Sequence, residues 1–207
     1  MNTFLIAFAT LFATVGVADI AFIFAALTKD NTPEQRRIFA TRGVLVALGI
    51  LLFFAVLGDD ILSLFGITIP ALRTAGGILL LLISIDMVFA RHSGGTGTTD
   101  EEEKEARQSQ DISVFPLAMP LMAGPGAISA VILLTTAAQT DLDFWLVILA
   151  IIAILLLAWL TLLIAIPIQR LLGLTGLSVV SRVVGILLAA LAVQFVFDGI
   201  KASGLLG

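Results

Sequence analysis

The sequence predicts an all-α polytopic membrane protein: six transmembrane helices, arranged as two inverted three-helix repeats. Three observations predict this. First, 59% of the 207 residues are apolar and 13% are charged, whereas soluble chains carry about 25% charged residues to coat their core. Second, six apolar runs are long enough to cross a bilayer. Third, the first three runs share a faint pattern with the last three. The mean hydropathy of +1.14 agrees with a solvent that is mostly lipid.

Crossing about 30 Å of hydrocarbon takes about 20 apolar residues in a helix. Spans are expected near 3–28, 38–58, 61–90, 113–138, 143–168 and 179–200. The first lacks any Lys or Arg before Lys29, so it has no basic leader region and reads as a retained helix. The second, Ile38 to Gly58, carries Arg42 near its start. The third holds Pro70 and the pair Gly76-Gly77 and is expected to begin in the interface. Leu171 to Leu177 is apolar but short, and is expected to be interfacial. The runs are continuous rather than alternating, so backbone groups in lipid are satisfied by helices and not by a closed barrel.

The long polar stretch follows Ala90. It contains Ser93-Gly94-Gly95-Thr96-Gly97, then Glu101-Glu102-Glu103-Lys104-Glu105. Such a composition buries too little apolar area to offset the entropy of ordering. It divides the chain into a first repeat at 1–90, a flexible acidic linker at 91–112 and a second repeat at 113–207. The lone histidine, His92, reads as a solvated linker residue. Lys and Arg gather in the odd-numbered loops, at Lys29, Arg36, Arg37, Arg91, Lys104, Arg107 and Arg170. The second loop (Asp59, Asp60) and the fourth (Asp141, Asp143) have none. The positive-inside rule puts loops 29–38 and 91–112 in the cytoplasm and both termini on the periplasmic side.

Arg73-Thr74-Ala75-Gly76 has a counterpart in Arg182-Val183-Val184-Gly185, an offset of 109 residues (182 − 73). The same offset sets Gly16-Val17 opposite Pro125-Gly126. Three spans per half invert the second half relative to the first, a common transporter plan. The strongest local feature is Pro120-Leu121-Met122-Ala123-Gly124-Pro125-Gly126. Proline removes a helix hydrogen bond and glycine adds freedom, so the fourth span is expected to break there. A break frees backbone N–H groups at the positive end of a half-helix, where an anionic substrate group can sit. The plainer reading is a kink that lets helices pack around small residues.

The candidate substrate-binding residues are therefore Gly124, Pro125, Gly126, Ala127, Ser129, Gly16 and Asp19. Asp19 lies deep in the first span, where a carboxylate needs a partner, a wet cavity or a proton. Asp86, Arg73, Arg182 and Gln194 join Asp19 as candidates for ion coupling or gating. The alternatives are a solvated helix-end acid for Asp86 and an Arg73 that snorkels towards Asp59 or Asp60. The hydroxyls of Thr135 and Thr136 could line a path or bond to their own helix.

Other chemistries find no support. One histidine and no cysteine leave no zinc set and no Ser-His or Cys-His pair, and no basic stripe invites nucleic acid. Asp19 and Asp86 leave an aspartyl protease open. However, Gly16-Val17-Ala18-Asp19 departs from the Gly-x-Gly-Asp such an enzyme uses. The expectation is a protein that is not an enzyme and has no cofactor beyond a coupling H+ or Na+. Its partners would be lipid and a small solute.

Phe65-Gly66-Ile67, Arg73-Thr74-Ala75-Gly76-Gly77, Phe115-Pro116-Leu117-Ala118-Met119-Pro120 and Ala123-Gly124-Pro125-Gly126-Ala127 together resemble the MarC family. Ser181-Arg182 with Gly185, and Val193-Gln194-Phe195 with Gly199-Ile200, extend the resemblance over nearly the whole chain. It implies six helices in a bacterial inner membrane and cation-coupled transport of small neutral amino acids such as alanine or glycine. Related chains usually break span one with Asn-Pro or Asp-Pro; here Gly16-Val17 stands instead, and Asp19 replaces a small residue. The expected function is a secondary transporter of small neutral amino acids. The alternatives are a non-transporting membrane scaffold or binding protein, favoured by the lost prolines, or an uncoupled channel or exporter for another small solute.

Overall fold

The structure, a computed structural model, describes residues 2–28, 31–89 and 111–204. Apart from Asp111 and Ile112, the expected linker, with His92, lies outside these residues. Eight helices follow in order: α1 (Asn2–Val15), α2 (Val17–Leu27), α3 (Pro33–Leu64), α4 (Ile69–Phe89), α5 (Ser113–Met122), α6 (Pro125–Thr136), α7 (Asp141–Leu163) and α8 (Ala165–Ala202). Five helical runs are long and apolar enough to span a membrane, and the bent pair α5–α6 makes a sixth. The chain is thus an all-α membrane protein, as its composition predicts.

Local chemistry sets the helix ends, and three differ from the expected boundaries. α3 starts at Pro33 rather than 38, because Thr32 and Gln35 form a capping box and Pro33 takes the first helical position. It runs on to Leu64, so Asp59 and Asp60 are helical and not loop residues. The stop is a Schellman turn. Gly66 is left-handed at φ 65°, the Ile67 N–H donates to the Leu62 carbonyl at 2.9 Å, and the Gly66 N–H donates to Ser63 at 3.1 Å. α4 begins at Ile69 rather than 61, which places Pro70 in the first turn, where proline costs no hydrogen bond. α8 passes through Leu171 to Leu177 without a break; its membrane-crossing part is Arg182–Ala202.

Among the five runs without a sharp bend, span one, α1 with α2, is the most enclosed: 56% of its apolar window is buried, against 22% for Arg182–Ala202. It occupies the middle of the bundle. One core cluster joins it to α3, α5, α6 and α7 through Leu11, Phe24, Leu51, Leu117, Val131 and Ile151. A smaller cluster joins Ala13 of α1 to Leu80 and Ile83 of α4 and to Leu188 and Ala192 of α8. Trp159 of α7 donates from Nε1 to the Thr41 hydroxyl of α3 at 3.1 Å. Thr3 of α1 donates to Asp143 of α7 at 2.6 Å.

The packing pairs are regular. α1 lies on α7 and α3 on α5; α2 lies on α8 and α4 on α6; α3 meets α7, and α4 meets α8. Exchanging the first four helices for the last four returns these six pairs, but not others such as α1 on α8 or α6 on α7. α4 and α8 run antiparallel, as their glycines show. Gly199 meets Pro70 and Thr74, Gly77 meets Ala192 and Val196, and Gly185 meets Ser84, Met87 and Val88. A methyl group built on Gly77 would stand 2.7 Å from the Ala192 carbonyl oxygen, so the two backbones approach as closely as glycine allows.

Candidate functional site

The site begins with proline chemistry in α5. Pro116 and Pro120 have no N–H to donate to the carbonyl four residues back. Two donors nearby reach one residue further than in an α-helix: Leu117 N–H bonds to Ile112 O at 3.2 Å, and Ala123 N–H to Ala118 O at 2.8 Å. The residue before each proline leaves the helical region, Phe115 at φ −125°, ψ 127° and Met119 at φ −128°, ψ 124°, as crowding by the proline ring requires. Both X–Pro bonds are cis. α5 is therefore a segment of wide, irregular turns.

The break follows. Gly124 is extended (φ −73°, ψ 172°) and caps α6 without a side chain, and Pro125 is the first helical residue. The α5 and α6 axes differ by 55°. Gly124 has to be glycine, because the Pro120 carbonyl oxygen occupies the place of any Cβ. The first α-helical bond of α6 runs from Ile128 N–H to Gly124 O at 3.0 Å. Gly126 and Ala127 thus present the opening N–H groups of a helix, which have no partner within it. Gly126 is pressed against α4, 2.6 Å from Ile83 Cδ1 to a built methyl. Gly126 and Ala127 are buried, Gly124 and Ser129 half-buried, and Pro125 exposed. Ser129 faces Gly76 of α4.

Span one is also broken, although its prolines are missing. Gly16 takes the left-handed conformation, φ 63° and ψ 49°, which costs glycine nothing. It ends α1 through its N–H to Phe12 O at 3.3 Å and starts α2 through its carbonyl, which accepts from Ile20 N–H at 3.0 Å. Asp19 sits in the first turn of α2. It is half-buried, with Oδ2 3.6 Å from a methyl built on Gly16. A carboxylate there meets the positive end of the α2 dipole. α6 has no acidic residue in its own first turn.

The remaining predicted residues lie on α4 and α8. Asp86 is half-buried towards the end of α4, and Arg182 is exposed on α8. Arg73 is half-buried, and no salt bridge joins it to Asp59 or Asp60 among the described residues; Arg42 and Asp111 do form an ion pair, at 3.0 Å. Gln194 is exposed and donates to Asp198 on its own helix at 2.9 Å. Thr135 and Thr136 bond to carbonyls of α6 itself. The sequence reading missed Thr10 of α1, 1% exposed. It also missed Asp111, which accepts from the Ser113 N–H at 2.9 Å and ties the entry of α5 to α3. A threonine in an apolar run gives no outward signal; an acid two residues before a serine at a helix start does.

These features define a class: a polytopic α-helical membrane protein in which two spans, one in each half, are interrupted by backbone breaks. The chain belongs to the MarC family of integral membrane proteins, whose profile matches residues 1–203. It is 38% identical to a UPF0056 membrane protein of Methanocaldococcus jannaschii over 98% of both chains. It is also 38% identical to the UPF0056 membrane protein YhcE of Escherichia coli, over 94% of this chain and 90% of the other. To YvbG of Bacillus subtilis it is 34% identical, over 94% and 92%. Relatives therefore occur in archaea as well as bacteria. No solved structure matches the chain.

Proposed function

We propose that this chain is a secondary transporter of small neutral amino acids, with alanine and glycine as the expected substrates and a proton or sodium ion as the coupling ion. The observation that carries the reading is the 55° break at Ala123–Gly124, which leaves the N-terminus of α6 inside a membrane span. Its N–H groups near Gly124 to Ala127 suit the carboxylate of an amino acid. Asp19, on the other broken span, supplies the negative charge for the ammonium or the coupling cation.

The alternating-access part of the proposal rests on inverted repeats. α4 and α8 correspond through Arg73-x-x-Gly76 and Arg182-x-x-Gly185, and they pack antiparallel. Equivalent helices that run antiparallel are related by a two-fold axis across them, the arrangement of inverted halves. The helix starts repeat too: α2 and α6 begin at 17 and 125, α3 and α7 at 33 and 141. In this reading the halves rock about the broken spans, both termini are periplasmic, and the membrane is the inner membrane where the host is a bacterium.

The test is flux of labelled alanine and glycine in proteoliposomes, with imposed pH and sodium gradients. Wild type should move both and respond to one gradient, and Asp19→Asn should lose coupling or at least tenfold in rate. Flux no greater than in empty liposomes rejects the transporter. Equal flux in both proteins removes Asp19 from the mechanism. Flux indifferent to both gradients favours the uncoupled channel.

A further inference from the structure

Span one lies in the middle of the bundle, yet one strip of α1 is open. Leu5 is 58% exposed and Ile6 56%, and Ala9 is exposed beside them. Ala13 is 8% exposed, held in the cluster with Leu80 and Ile83 of α4 and Leu188 and Ala192 of α8. At about 100° per residue, Ile6 and Ala9 stand within about 40° of Ala13 on the α1 surface. One face of α1 is thus sealed against the α4–α8 pair at Ala13 and uncovered two turns earlier.

α4 shows what looks across that gap. Thr3, at the start of α1, meets Asp143, at the start of α7, and residues 137–140 join that start to the end of α6. α4 runs against α6, since Gly76 meets Ser129 and Leu133 whereas Gly126 meets Leu80 and Ile83. α1 and α4 therefore begin at the same end of the bundle and run the same way. Seven residues before Ala13 is Ile6; seven before Leu80 is Arg73. Each lies about 10 Å closer to that end, within about 20° of the direction of the residue it precedes.

Arg73 also stands between the directions of Gly76, which meets α6, and Gly77, which meets Ala192 and Val196 of α8. α1 packs on both α6 and α8, so Arg73 is turned towards α1. It is half-buried and makes no hydrogen bond or ion pair among the described residues. Asp198, at the same level of α8, accepts from Gln194 on its own helix. An arginine keeps its charge, and within a span it faces a partner or water rather than lipid.

We propose that the gap between α1 and the α4–α8 pair is a water-filled cleft, the mouth of the solute path at the end where α1 begins, and that Arg73 collects anions there. The anion is the carboxylate of an arriving amino acid. The floor of the cleft is the cluster around Ala13 and Leu80, level with Gly126, which meets the same Leu80 and Ile83. The identity of the solute rests on the transport reading; the wet cleft does not.

The chain contains no cysteine, which makes a direct test available. Ile6→Cys introduces a single thiol, to be probed in nanodiscs with an anionic and a cationic methanethiosulfonate. One control is Ala13→Cys, on the same face but in the floor. The other is Leu82→Cys, 53% exposed but about 180° from Arg73 on α4, where it faces lipid. Ile6→Cys should label at least tenfold faster than either control. Adding Arg73→Gln to Ile6→Cys should lower the ratio of anionic to cationic labelling rates about fivefold, the effect of removing one charge about 8 Å away in water. Arg73→Lys, which keeps the charge, should keep the ratio. Labelling of Ile6→Cys as slow as that of Leu82→Cys would show that the strip faces lipid and overturns the cleft. A ratio unchanged by Arg73→Gln, or lost equally in Arg73→Lys, overturns the role of Arg73. The expected labelling in a protein that moves neither alanine nor glycine would uphold the cleft and reject the transporter.

Discussion

Span one turns at a single left-handed glycine, whereas span four uses two prolines, an extended glycine and ten residues of irregular turns. Both routes deliver a fresh helix N-terminus inside the bundle. They differ in what waits there. α2 brings its own carboxylate, Asp19, in its first turn; α6 brings none. A positive helix end attracts an anion from wherever one is available. In the first half that anion is covalently supplied; in the second it must come from solution. The two breaks thus differ in charge: one helix end carries its own acid and the other does not.

The largest expected effect tests the tighter of the two breaks. In Gly124→Ala the new methyl meets the Pro120 carbonyl, a backbone atom that cannot rotate away. Overpacking of this kind costs about 2–3 kcal/mol. Thermal unfolding in detergent should show a lower midpoint, and flux should fall with it. An unchanged midpoint would mean that α5 is looser than its geometry implies.

Gly16→Ala should cost less, about 1–2 kcal/mol, because the penalty is a left-handed alanine and not a collision. Gly16→Asn, which tolerates that conformation, should recover part of the loss. If alanine and asparagine melt alike, the left-handed turn is not what holds span one open. Smaller again is Asp19→Asn, which removes a charge from a helix start and should lower stability by about 0.3–1 kcal/mol. Here the flux is more telling than the midpoint. A variant that is nearly as stable but no longer coupled assigns Asp19 to transport, and the reverse assigns it to capping.

The two breaks also differ in how legible they were. Pro120, Gly124 and Pro125 act on their own backbone, so the interruption of span four is written in six residues. A lone glycine in apolar sequence is compatible with a continuous helix, so the missing prolines spoke against the turn that Gly16 nonetheless makes. The loss of those prolines had favoured a scaffold with unbroken helices, and that support goes with the break. Asp59 and Asp60 pointed to a loop because charge marks the end of an apolar run. The helix stops at the left-handed Gly66 instead, since a helix can extend past the hydrocarbon into water. Thr10 carried no signal at all: its burial is a statement about its surroundings.

The smallest effect concerns how each broken span is entered. The start of α1 is fixed by Thr3 on Asp143, the start of α5 by Asp111. Asp111 accepts from the Ser113 hydroxyl and N–H and from Arg42 at 3.0 Å. Ser113 does most to hold this carboxyl below the usual carboxylate range, Arg42 helps, and slight burial opposes them. A carboxyl depressed in the folded state stabilises it fully above the unfolded value of about 3.9. That contribution is lost as pH falls through the lower folded value. With the two side chains 63% and 43% exposed, solvent screening keeps the total under about 1 kcal/mol. Wild type and Asp111→Asn should therefore differ slightly in melting point at pH 7 and converge in acid, below the usual carboxylate range. Arg42→Gln should cost less than Asp111→Asn, because Ser113 still holds the carboxylate. A larger loss from Arg42→Gln would show that the link between α3 and α5 depends on the ion pair and not on the cap, whereas a gap that persists in acid would show that it does not depend on the ionised carboxylate.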